Sequence, residues 1–94
     1  MTTRTVRASQ GSQPTFEGVR VGIVVAAMHR GEPKVRLLIR TWEEKKRVDL
    51  VVGDREDLFG RGTLTVDGIH LSEDARTRDQ ITLTFDPSGV AAHE

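Results

Sequence analysis

Residues 48–69 read VDLVVGDREDLFGRGTLTVDGI, and this stretch decides the fold class. Val48, Leu50 and Val52 alternate onto one face of an extended segment, and Leu64 and Val66 do so in the next. Gly53-Asp54 and Gly60-Arg61-Gly62 are turn sequences. Between them Leu58-Phe59 returns two side chains to the core as a short strand or bridge. The alternation breaks at Asp67-Gly68, because Ile69 and Leu71 have the opposite parity from Leu64 and Val66. A β-bulge there inserts one residue and restores the buried face.

Upstream the same logic yields two hairpins. In FEGVRVGIVVAAMHR, residues 16–30, Val19, Val21, Ile23, Val25 and Ala27 share a face, and Gly18 and Gly22 argue against helix. Gly31-Glu32-Pro33 turns the chain into the strand Val35 to Trp42. A loop of odd length sets Ala27, Val25 and Ile23 opposite Val35, Leu37 and Ile39, whereas an even loop sets that apolar face against Arg36 and Arg40. After Glu43-Glu44-Lys45-Lys46, a tight two- or four-residue loop pairs Thr41 with Val48, Ile39 with Leu50 and Leu37 with Val52. That register also places Glu43 against Lys46 and Arg40 against Asp49, both favourable pairs.

The ends carry less pattern. Residues 1–15 are polar and cationic without an apolar stripe, which is the composition of a disordered tail. Ser72 to Gln80 is a charged loop with room for one helical turn. Ile81, Leu83 and Phe85 form the last strand, Asp86-Pro87-Ser88-Gly89 closes it, and residues 90–94 fray. The expected architecture is all-β, a small antiparallel sandwich or partly open barrel of about six strands in meander order over residues 16–89.

Composition bounds the function. A chain of 94 residues buries roughly 60–65% of its unfolded surface, enough for one modest core. Cysteine is absent, which removes disulfides, thiolate metal sites and cysteine nucleophiles and fits a cytoplasmic protein. Fourteen Lys and Arg balance fourteen Asp and Glu, so no net charge steers the chain to nucleic acid or an anionic membrane. No apolar run approaches the ~20 residues that span a bilayer, and the N-terminus has no signal-peptide core.

No catalytic motif stands out. His29, His70 and His93 lack ligand spacing, so neither a zinc centre nor another cofactor is expected. Asp54, Glu56 and Asp57 lack the spacing of a calcium loop and read as charge that blunts a sheet edge. Gly60-Arg61-Gly62 precedes no helix and is no phosphate cradle. Ser72 and Ser88 have no partnered histidine and acid. The chain is therefore expected to bind rather than to catalyse.

The candidate binding surface is the outer face of the first three strands. It gathers Arg20, Val24, Arg36, Leu38, Arg40, Trp42, Arg47 and Val51, with Ala26 and Met28 beside them. Trp, Met and Arg are the residues interfaces favour at their centres, which points to a protein partner or a homodimer. A solvated Trp42 shielded by arginine stems, or a face covered by the N-terminal tail, would explain the same residues without a partner. A single-stranded nucleic acid is the rival ligand, although such binders carry several stacking aromatics and a basic excess. A small-ligand protein is the third class.

The run Arg47-Val48-Asp49-Leu50-Val51-Val52-Gly53-Asp54, then Leu58-Phe59, then Gly62-Thr63-Leu64-Thr65-Val66 and Ile69, resembles small uncharacterised actinobacterial β-domain proteins over about half of the chain. The resemblance implies an all-β fold and carries no activity, cofactor or functional residue.

Overall fold

Alternation of apolar and polar residues produces strands along nearly the whole chain. The computed structural model describes residues 3–72 and 78–87. Eight strands occur in it: β1 (Arg4–Ala8), β2 (Thr15–Phe16), β3 (Val19–His29), β4 (Glu32–Arg40), β5 (Lys45–Val51), β6 (Arg55–Asp57), β7 (Gly62–His70) and β8 (Gln80–Pro87). They form two four-stranded antiparallel sheets, ordered β1-β8-β7-β6 and β2-β3-β4-β5, packed as a sandwich. Within each sheet consecutive strands pair, β2 to β5 in one and β6 to β8 in the other, and β1 joins the second sheet by pairing with β8.

Two corners carry the chain between the sheets. At the first, Ser12 N donates to Ser9 O, and Gly11 N and Ile23 N then bond Ile23 O and Ser12 O at 2.9 Å, so the chain leaves β8 for β3. At the second, Asp54 N donates to Val51 O, and Gly53 N and Val66 N bond Val66 O and Asp54 O. That exchange moves the chain from β4 to β7. Both corners satisfy the backbone groups that a sharp bend would otherwise leave bare.

The core lies between the sheets. Phe16, Val19, Val21, Ile23, Val35, Leu37, Ile39 and Leu50 from one sheet face Leu58, Leu64, Val66, Ile81, Leu83 and Phe85 from the other. Phe16 and Phe85 stack across the interface with ring centroids 5.1 Å apart. Gly62 is buried beneath Phe85, where an added Cβ would lie 2.3 Å from Cε1. The bulge expected at Asp67-Gly68 is present, with the register shift between Val66 and Gly68, and Ile69 then pairs with Ile81.

Four expectations are corrected. Residues 4–8 and 15–16 are strands, so the proposed tail is part of the domain over most of its length. Val6 and Ala8 turn inward opposite Leu83 and Ile81, while Arg4 sets its guanidinium 5.2 Å from the centroid of Phe16. The stabilising element is the backbone ladder to β8, which composition does not reveal. Three residues of the supposed acidic loop form β6, and Leu58-Phe59 follows it instead of forming the short strand.

The first hairpin does not use an odd loop. Arg30 and Gly31, with φ of 53° and 83°, make the two-residue turn that matches strand twist. Taken alone, this loop would set apolar residues against arginines. A bulge between Ile23 and Val25 removes the conflict, because it returns Ile23 to Leu37 and Val21 to Ile39. Val24 and Val25 consequently emerge on the outer side, 44% and 38% exposed, and Ala26 enters the core in place of Ala27.

The second hairpin keeps the expected parity but slips by four residues. Thr41–Glu44 is the loop, in which Thr41 Oγ1 accepts from Glu43 N and Glu44 N at 3.2 and 3.1 Å. Leu37 therefore faces Val48 and Val35 faces Leu50, while Val52 lies beyond the strand, exposed at the corner. An even slip leaves every side chain on its face and changes only its neighbours.

The expected helical turn within 72–80 involves residues 73–77, and the frayed end spans 90–94. Both segments lie outside the described residues.

Candidate interaction face

The slip in the second hairpin decides the electrostatics of the outer face. Asp49 sits opposite Arg36 instead of Arg40, and the two form a bidentate pair at 2.8 and 3.2 Å. This hydrogen bond lowers the Asp49 carboxyl below the usual aspartate range, against the opposing effect of burial, which ranks next, and with help from the charges of Arg36, Lys34 and Arg47. The Arg36 guanidinium is raised by the same bond. Lys46, expected opposite Glu43, instead crosses the second corner. Its Nζ meets Glu56 Oε2 at 2.7 Å, donates to the Asp57 carbonyl and lies 5.0 Å from the centroid of Phe59.

Arg40 loses its expected acid and gains cations on both sides. Its cross-strand partners are Arg20 on β3 and Lys45 on β5, so three cations stand abreast across three strands. Thr15 on β2 completes the row opposite Arg20. Among the described residues, neither Arg20 nor Arg40 makes a salt bridge. Like charges directly opposite each other destabilise a sheet, so this row opposes folding locally.

The next row contains Gly22, Leu38 and Arg47. Gly22 presents no side chain, and Leu38 is half-buried beside it. Beyond come Val25, Arg36 and Asp49, then Ala27, Lys34 and Val51. Trp42, displaced from the strand into the loop, is 90% exposed. With Gly18, Arg20, Arg40 and Thr41 it lines an open groove of about 470 Å³. Arg61 reaches the same end from the other sheet and donates from Nη1 to Glu17 O at 3.1 Å.

Of the residues singled out in the sequence, Arg20, Val24, Arg36, Leu38, Arg40, Arg47 and Val51 lie on this outer face, and Trp42 flanks it from the β4–β5 loop. Ala26 belongs to the core, and Met28 lies 58% exposed near the end of β3. The tail does not cover the face. Residues 11–16 extend the sheet along the edge of β3, and only Gln13 approaches Gly22. Lys34, Lys45 and Gly22 were not singled out as site residues. Lys45 acquires its place from the four-residue slip, which side-chain parity alone does not fix.

The zero net charge conceals a polarity. The outer face of β2–β5 carries Arg20, Lys34, Arg36, Arg40, Lys45 and Arg47 against Asp49 and Glu32. The opposite outer face carries Thr5, Thr63, Thr65, Thr82 and Thr84 with Asp57, Asp67 and Asp86, alongside Arg7 and Arg55. Among the described residues no group of three or more His, Asp or Glu is placed to hold a metal, and no helix is long and apolar enough to cross a membrane. No protein-family model matches this chain, and no curated protein or solved structure is significantly similar to it.

Proposed function

We propose that this protein is a non-catalytic, cytoplasmic interaction module that docks an acidic protein partner on the outer face of β3, β4 and β5. One observation carries the reading: the row Arg20–Arg40–Lys45 has like charge throughout, lacks a salt bridge to Arg20 or Arg40 among the described residues, and lies beside a tryptophan that is 90% exposed. Such a row is unfavourable in the free protein and is relieved by opposite charge. A two-fold homodimer through this face would bring the row against its own copy, so a different, acidic protein is the better partner. The apolar strip of Val24, Val25 and Leu38 supplies area for a protein interface to bury.

Affinity capture with the tagged full chain tests this, with Arg20→Glu/Arg40→Glu as the control. Acidic proteins retained by the wild type and lost from the variant are the expected result. Equal capture by both, or a concentration-dependent dimer in light scattering that the variant abolishes, overturns it. A single-stranded nucleic acid is the second reading, favoured by Trp42 standing beside Arg20 and Arg40 in the groove. It requires oligonucleotide-dependent Trp42 fluorescence with a steep salt dependence, and an unchanged signal at low salt removes it.

A further inference from the structure

The direction of the cation row constrains the shape of the partner. Arg20, Arg40 and Lys45 are successive cross-strand neighbours, so the row runs across the strands. Adjacent strands lie roughly 4.7–5.5 Å apart, and three cations therefore span about 10 Å. A strand added beside β5 would run along that strand and miss Arg20 and Arg40. An extended peptide laid across the sheet returns a side chain to one side every ~6.8 Å, so three carboxylates would span about 13–14 Å and overshoot. An α-helix returns to one face every ~5.4 Å, and carboxylates at i, i+4 and i+7 span about 10.5 Å.

The surface beside the row suits the other flank of such a helix. Gly22 leaves a low strip next to half-buried Leu38, bordered by Gln13, and nothing on β3 rises there between Arg20 and Val24. Trp42 stands on the opposite side of the cation row, in the β4–β5 loop, where it lines the groove with Arg20 and Arg40. We propose that this face receives an acidic amphipathic helix of its protein partner, laid across β3, β4 and β5. Its carboxylates meet Arg20, Arg40 and Lys45, its apolar flank covers Gly22 and Leu38, and Trp42 borders it on the other side of the cation row. The inference rests on the acidic-protein reading above and adds the conformation of the bound segment. Nucleic acid fits less well, because phosphates do not cover the aliphatic strip and a single aromatic offers one stacking platform.

Trp42 is the only tryptophan of the chain, so its fluorescence reports this site without a label. The test titrates the full chain with a synthetic, tryptophan-free helical peptide bearing Glu at i, i+4 and i+7 and Leu on the adjacent flank. A peptide of identical composition in scrambled order and an oligo-dT strand serve as the other arms. Arg40→Glu removes the centre of the row. Gly22→Val raises the strip with little strain, since a Cβ there meets Leu38 O at 3.6 Å and Gln13 Cγ at 3.8 Å, ordinary contacts. Far-UV circular dichroism establishes that both variants keep the fold.

The expected result is that the ordered helix binds at least about tenfold tighter than its scramble. Both variants should lose that preference. Equal binding of ordered and scrambled peptides overturns the helix while leaving the acidic-protein reading intact. Binding of oligo-dT alone, or of none of the three, overturns both.

Discussion

The two outer faces of this sandwich are built from the same strand geometry and solve their polar side chains in opposite ways. On the β1-β8-β7-β6 sheet, Thr5, Thr84 and Thr65 stand abreast. Thr84 Oγ1 donates to Asp67 Oδ2, which leaves its oxygen to accept from Thr5 Oγ1 at 3.1 Å. Thr3 Oγ1 donates to Asp86 Oδ1 at 2.7 Å. β-branched residues suit a pleated surface, and their hydroxyls find partners within it. The corresponding row on the other sheet is Arg20–Arg40–Lys45, where each neighbour repels the next. A face whose groups satisfy one another has no electrostatic need of a partner. A face left in internal conflict gains stability when one arrives, and this difference is the ground for proposing it as the binding surface.

The largest effect expected from breaking the comparison comes from a glycine on each sheet. Gly62 faces inward, and a Cβ there would lie 2.3 Å from Phe85 Cε1 and 2.7 Å from Asp86 O. Gly62→Ala must push Phe85 against Phe16, with which it stacks, so overpacking should cost about 3 kcal/mol. Gly22 faces outward with ordinary contacts around its Cβ position, so Gly22→Ala should be neutral or stabilise by about 0.5 kcal/mol. Urea denaturation of the pair checks this. Equal losses from the two substitutions would mean that Gly62 does not fix the inter-sheet packing.

Removing the conflict itself should have a smaller effect of opposite sign. Arg40→Thr deletes the central cation and inserts a residue suited to strands, and should stabilise the free protein by about 0.2–1 kcal/mol. Thr84→Val, its counterpart on the quiet face, strips the donor from Asp67 and the acceptor from Thr5, and should destabilise by about 0.5–1 kcal/mol. Denaturation midpoints at unchanged m-value measure both. If Arg40→Thr proves destabilising, the arginine supports the fold and the argument for an absent partner fails. A gain in stability with a loss of binding is the pattern of a residue kept for function.

The sequence displayed the faces of this protein more plainly than it displayed the neighbours. Period-two alternation placed Val19, Val21, Leu37, Ile39, Leu64 and Leu83 in the core, and the parity break at Asp67-Gly68 located a bulge. Register is a weaker signal, because shifts by an even number of residues preserve burial. The β4–β5 hairpin slipped by four residues for that reason, and the slip turned an anticipated Arg40–Asp49 ion pair into a row of cations. The β3–β4 hairpin combined an even turn with a bulge at Val24, two departures that cancel in parity and so mimic an odd loop. The first strand was hidden differently. Arg4–Ala8 buries only part of its surface and is held by backbone bonds to β8, a partner at the far end of the chain. Seven of the eight anticipated site residues lie on β3, β4 and β5, two of them in the cation row, but what makes the face distinctive was invisible until the register was known.

The smallest effect belongs to Asp49, the acid on the cationic face. Its folded carboxyl lies below the usual aspartate range, chiefly through the hydrogen bond from Arg36. A depressed folded value stabilises the native state above the ordinary range, and the contribution fades as pH falls through the depressed value. The pair is exposed on both sides, with side chains 46% and 43% accessible, so its weight in overall stability is slight and the titration itself is the useful reading. A carboxyl NMR titration should place the Asp49 midpoint below that of ordinary aspartate, and Arg36→Gln should raise it by removing the strongest cause. In that variant Lys34 and Arg47 still lower the Asp49 carboxyl while burial raises it. At about 1 M salt, where screening acts over roughly 3 Å, the pull of the two cations should be lost and the variant's midpoint should rise above its low-salt value. An unchanged midpoint between low and high salt would mean that the face exerts no field beyond its one ion pair, and the electrostatic contrast between the two sheets would reduce to local contacts.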